Sequence, residues 1–200
     1  MPIKTNREYR SMNLLMPTTE KRINSEYYVE GFATTFNKPY ELYEYGGNKY
    51  FEVIDRNALV EADISDVIMQ YDHSGRVRAR TSNGTLGIEP NDIGLFAYAD
   101  LSRSSAAKEL YEDIASGLVT KMSWAFTITD DDYDKDTKTR TIKRIKKIYD
   151  VSAVSIPANG DTEISARSYV DGVIEIEKRE ALARELELRK AKYFYIGGIK

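Results

Sequence analysis

Cysteine is absent from this sequence, and histidine occurs once in 200 residues, as His73. A thiolate nucleophile, a zinc ribbon and any metal site needing two histidines are therefore excluded. A hydrolytic site built on side chains has to pair His73 with Ser, Thr or a carboxylate, and a third group orienting the ring has to be Asp or Glu. Long apolar runs are missing too. No stretch approaches the ~20 residues that cross a bilayer, and residues Met1 to Arg10 lack the apolar segment of a signal peptide. Neither sign of charge dominates: 29 Lys and Arg stand against 32 Asp and Glu, for a net charge of −3. Charge thus gives no reason to expect a nucleic acid or an acidic membrane as partner. The expectation is a soluble chain of cytoplasmic style, with no metal and no cofactor.

What is present leans towards sheet. Fifteen tyrosines and six phenylalanines suit half-buried pleated surfaces, and the length allows one domain of about 150 residues with appendages. Residues 1–20 are polar without sustained periodicity and read as a flexible, loosely attached arm. Strands are predicted over Tyr27–Phe36 and Tyr50–Ile54, with Tyr40–Lys49 as a loop or hairpin tip and Asp55 capping a short helix over Arg56–Val60. Val67–Tyr71 is almost wholly apolar and reads as a strand buried on both faces. Arg76-Val77-Arg78-Ala79-Arg80 alternates, which exposes three arginines and turns Val77 and Ala79 inwards. Asn83-Gly84 and Pro90–Gly94 turn the chain between short strands, and short turns imply an antiparallel sheet.

Ser102–Ser116 has apolar residues at helical spacing and Gly117 just beyond. The acidic run Asp130–Asp136 fails as a calcium loop, because Thr137 and Lys143 occupy the positions of the required Gly and Glu. It reads instead as a solvated hairpin tip, returning through Thr139–Ile145 and Lys147–Ile156. Beyond Ile174 a charged helix runs to about Lys192, with Leu182 and Leu186 as its apolar stripe.

Two positions stand out. His73 emerges at the end of the Val67–Tyr71 strand, rigid behind and open in front, where a catalytic side chain is well placed. In the strand predicted over Leu118–Ile128, the even positions Leu118, Met122, Trp124, Phe126 and Ile128 form a core face. Ser123 points the other way among small and polar residues. That placement suits a nucleophile, and equally suits an ordinary serine on the polar side of a strand.

Four segments taken together resemble the prohead maturation proteases of tailed bacteriophages, serine peptidases whose fold is like that of the herpesvirus assembly protease. They are Glu30-Gly31-Phe32-Ala33, Tyr71-Asp72-His73 with Gly75-Arg76, Leu118 to Phe126, and Tyr149 to Ala158, in the family's order over roughly residues 25–165. The resemblance implies a mainly β, α+β fold with an antiparallel, barrel-like core, a few surrounding helices and the charged C-terminal helix. It divides the chain into an arm (1–20), a protease domain (21–168) and a C-terminal extension (169–200). It puts the nucleophile on Ser123 and the base on His73. The herpesvirus relatives use a second histidine as third member, which this chain lacks. The acidic residue of the last motif falls on Asp150, with Asp72 as the rival orienter, and backbone N–H groups at Ala158 and Asn159 would meet the oxyanion.

The substrate implied is the scaffolding region of the major capsid protein, and the protease itself. Cleavage would take place inside the immature capsid in the host cytoplasm, by a self-processing homo-oligomer. The competing readings are an inactive assembly scaffold on the same fold and a peptide-binding β module that uses Arg76, Arg78 and Arg80.

Overall fold

The computed structural model describes residues 7–15, 21–155 and 175–190. Ten strands make one mixed sheet: β1 (Glu8–Leu15), β2 (Tyr28–Thr35), β3 (Tyr40–Tyr45), β4 (Asn48–Ile54), β5 (Ile68–Tyr71), β6 (Ser74–Arg80), β7 (Leu86–Pro90), β8 (Gly94–Asp100), β9 (Lys121–Asp134) and β10 (Thr139–Val154). Helix α1 (Ser105–Ala115) lies between β8 and β9, and α2 covers 175–190. The mainly β, α+β expectation holds. Among the described residues, however, the sheet runs β3-β4-β10-β9-β1-β2-β8-β7 without closing into a barrel.

The long hairpin β9–β10 is the spine. β9 pairs with β10 along its length, and the other edge of β10 takes two shorter strands in parallel, β4 against its first half and β5 against its second. Parallel neighbours were not expected from the short turns. β10 is 16 residues long, so its second edge has room for both short strands. Trp124 stacks on Phe126 with ring centroids 4.1 Å apart. These rings, with Met122, Val151 and Ala153, fill the core, and α1 belongs to the same cluster through Ala107, Leu110 and Ile114. The α1 N-terminus is capped by Ser104 Oγ, which accepts from the Ala107 N–H.

Several expectations need correction. Residues 8–15 are no loose arm: β1 sits inside the sheet between β9 and β2. Its polarity has another cause. Arg10 is 5% exposed and donates from Nε to Glu52 Oε1 at 2.5 Å and from Nη2 to Glu52 Oε2 at 2.8 Å, and Glu52 is itself fully buried. Arg140 joins Glu52 at 3.1 Å, Glu8 at 2.6 Å and Asp131 at 3.0 Å, and the Tyr40 hydroxyl also donates to Glu52. Buried charges of this kind are tolerated when each finds partners. Arg56–Val60 forms turns rather than a helix, and Asp55 Oδ1 accepts from the Asn57 N–H at 2.7 Å.

Val67 and Met69 are fully buried, but Ile68, Gln70 and Tyr71 are only partly so, so that strand is buried on one face. Val77 is exposed and Arg78 half-buried, because β6 bulges against Gln70, between the Met69–Ala79 and Tyr71–Ser74 pairs. Leu118 is exposed. It lies in the turn closing α1, where its N–H donates to Asp113 O, and the strand starts only at Lys121. The acidic run does end in a hairpin tip between β9 and β10. Lys135 in that tip pairs with Glu180 of α2, whose Leu182 and Leu186 are exposed.

Candidate active site

Three strands converge on one side of the sheet. Ser123 of β9 is paired with Ser152 of β10, and Asp150 lies two residues before Ser152 on the same face. β5 runs parallel to β10 in the register Asp150–Ile68 and Ala153–Tyr71, so the β5–β6 turn arrives just beyond Ala153. That turn consists of Asp72 and His73 alone, with φ of 47° and 54°. Positive φ at both central residues is the geometry of a two-residue hairpin that matches the strand twist. Asp and His are among the non-glycine residues that enter the left-handed region, at about 1–2 kcal/mol per residue.

The cost is offset locally. The Asp72 N–H donates to Ala153 O at 3.0 Å, and its carboxylate accepts from Ser155 N–H at 2.9 Å and Ser155 Oγ–H at 2.8 Å. Gln70 Nε2 donates to Gly75 O at 2.9 Å across the same turn.

Held this way, the imidazole lies between two groups brought from far along the chain. Nδ1 is 2.6 Å from Asp150 Oδ1, and Nε2 is 2.7 Å from Ser123 Oγ. With the carboxylate as acceptor, Nδ1 carries the proton and the unprotonated Nε2 accepts from the serine hydroxyl. The ring therefore lies against the Asp150 carboxylate, while the carboxylate of Asp72 is turned to Ser155. Ser123 is 2% exposed rather than on an open polar face, because Ala125 and Thr127 on its side of β9 are buried as well. Such enclosure lowers the local dielectric and strengthens each hydrogen bond in the series.

Sequence reasoning missed Ser152, which is fully buried. Its hydroxyl donates to Asp150 Oδ1 at 2.8 Å, and Oγ accepts from the Gln70 N–H at 3.1 Å. The signal was available, since residues two apart on a strand share a face. Ala158 and Asn159 lie outside the described residues. Of the arginine row, Arg80 is engaged by Asp66 through two bonds of 2.7 Å. Among the described residues, no group of His, Cys, Asp and Glu is placed to hold a metal ion, and no helix is long and apolar enough to cross a membrane.

A serine hydroxyl, an imidazole and a carboxylate hydrogen-bonded in series on a rigid sheet are the arrangement of a serine hydrolase, recognised by geometry rather than chain order. The family model of the caudovirus prohead serine proteases matches residues 15–173, and the chain belongs to that family. It is a serine protease of capsid maturation in a tailed bacteriophage, working within the prohead. No curated protein is similar enough in sequence to count as a relative. Among solved structures, the capsid assembly protease of bacteriophage T4 is similar with a TM-score of 0.46 at 9% identity, over 75% of this chain and 99% of that one.

Proposed function

We propose that Ser123 is the nucleophile, His73 the general base and then general acid, and Asp150 the group that orients and charges the imidazole. Ser123 Oγ attacks the scissile carbonyl carbon while its proton passes to His73 Nε2, and Asp150 stabilises the imidazolium so formed. His73 then gives the proton to the leaving amine as the C–N bond breaks. A water activated by the same Nε2 releases the acyl group and restores the serine.

The oxyanion is assigned to backbone N–H groups of Ala158 and Asn159. The substrate is an extended segment of the scaffolding region of the major capsid protein and, in self-processing, of the protease itself. The reaction runs in the immature capsid in the host cytoplasm, and the enzyme acts as a homo-oligomer. The catalytic domain takes in β1 together with residues 21–168, and 169–200 is a charged extension for scaffold binding.

The observation that carries this reading is the pair of bonds from one imidazole, 2.7 Å to Ser123 and 2.6 Å to Asp150. Its test is labelling with a fluorophosphonate, in which an activated serine oxygen bonds to phosphorus and displaces fluoride. Peptide mass spectrometry should place the adduct on Ser123 in the wild type and find none in His73→Ala. An adduct elsewhere, or equal labelling of both proteins, rejects the assignment.

A further inference from the structure

Asp150 Oδ1 receives two donors, and only one of them belongs to the reaction. Besides His73 Nδ1 at 2.6 Å, it takes the Ser152 hydroxyl at 2.8 Å. Ser152 is the Cα partner of Ser123 across the β9–β10 ladder and is completely buried. Its oxygen in turn accepts the main-chain N–H of Gln70 at 3.1 Å, and Gln70 lies in β5, two residues before the turn that carries His73.

One hydroxyl therefore links the carboxylate to the strand that delivers the imidazole. The bond to Asp150 removes the carboxylate's freedom to rotate about its own Cβ–Cγ bond, a terminal torsion with broad wells. The bond from Gln70 fixes β5 against β10 at the level of the reaction. Without that hydroxyl, Oδ1 has one donor fewer and the Gln70 main-chain N–H loses its acceptor, and an unpaired polar group is costly in proportion to its burial.

We infer that Ser152 is a positioning residue of this protease: its hydroxyl holds the Asp150 carboxylate in the rotamer that faces His73, and it does so by hydrogen bonding rather than by filling space. The inference rests on the catalytic reading above, but its first readout does not depend on turnover. Because the chain has one histidine and one tryptophan, an imidazole N–H resonance, found downfield of the Trp124 indole N–H, belongs to His73. In the wild type, the Nδ1–H should resonate well downfield of the amides, protected from exchange. It should show a cross-relaxation peak to a slowly exchanging hydroxyl proton, that of Ser152.

Two variants separate hydrogen bonding from packing. Ser152→Ala removes the hydroxyl, and Ser152→Cys keeps nearly the same shape with only a weak donor. Both should lose or shift the ring resonance. Both should slow the maximal rate of fluorophosphonate labelling by roughly 10- to 100-fold, the range set by one hydrogen bond to an ionised group, with the inhibitor concentration for half-maximal rate unchanged.

A wild-type spectrum with the ring proton present but no hydroxyl partner overturns the proposal without any variant. So does either folded variant that keeps the wild-type resonance and labelling rate. Failure of the protease reading looks different, since it would leave the wild type itself unlabelled.

Discussion

Arg10→Met removes the cation that anchors β1, and its cost follows from the charges around it. Among the described residues, the buried network holds two arginines, Arg10 and Arg140, against three carboxylates, Glu8, Glu52 and Asp131. Its net charge is thus −1, and Arg10→Met makes it −2 around a fully buried Glu52. Breaking a buried pair by removing one partner costs about 3–5 kcal/mol. For a domain of this size that corresponds to a fall in melting temperature of roughly 6–20 °C, read by circular dichroism at pH 7. The double variant Arg10→Met/Glu52→Leu restores the network charge to −1 and should recover part of the loss, where independent sites would add.

Acid should close the gap between wild type and Arg10→Met. Burial pushes the Glu52 carboxyl up, but Arg10 and then Arg140 and Tyr40 pull it further down, below the usual carboxylate range. A depressed carboxyl contributes stability above its unfolded value of about 4.3 and loses it as pH falls through the lower folded value. The wild type should therefore lose more between pH 5 and 3 than the variant, in which that depression is largely gone. A melting temperature for Arg10→Met within about 2 °C of wild type at pH 7 would refute the reasoning and return residues 8–15 to a detached arm.

Asp150→Asn removes the charge beside His73 Nδ1 and should cut the fluorophosphonate labelling rate by about 10⁴-fold; labelling at the wild-type rate would exclude Asp150 from the reaction. Gly94→Ala should destabilise by about 1–3 kcal/mol, because a Cβ there would lie 1.9 Å from the Thr34 carbonyl oxygen. An unchanged urea midpoint for that variant would mean that β8 does not approach β2 so closely.

The parts legible in the sequence are those whose signal is local. Turn chemistry at Asn83-Gly84 and Pro90–Gly94 located β7 and β8, helical spacing with Gly117 located α1, and a solitary histidine left one base to consider. What escaped depends on partners far away. The polarity of β1 reads as solvated until Glu52, 42 positions on, is found beside Arg10. The parallel pairings of β10 cannot be read from turn lengths, since both strands that make them arrive earlier in the chain. Leu118 fits the alternation of β9 but belongs to the turn after α1, where periodicity carries no information. The pairing of His73 with Asp150 spans 77 positions; in the sequence it rested on a family resemblance, and Ser152 was overlooked although it stands two residues from Asp150.

The central claim is that Ser123 is the nucleophile of a capsid-maturation protease. The most direct measurement is intact-mass spectrometry of the capsid protein encoded nearest this gene, co-expressed with the wild type or with Ser123→Ala. With the wild type alone the capsid protein should lose an N-terminal piece, the new terminus marking the cleavage site. Identical masses in the two experiments, whether intact or cleaved, would contradict it.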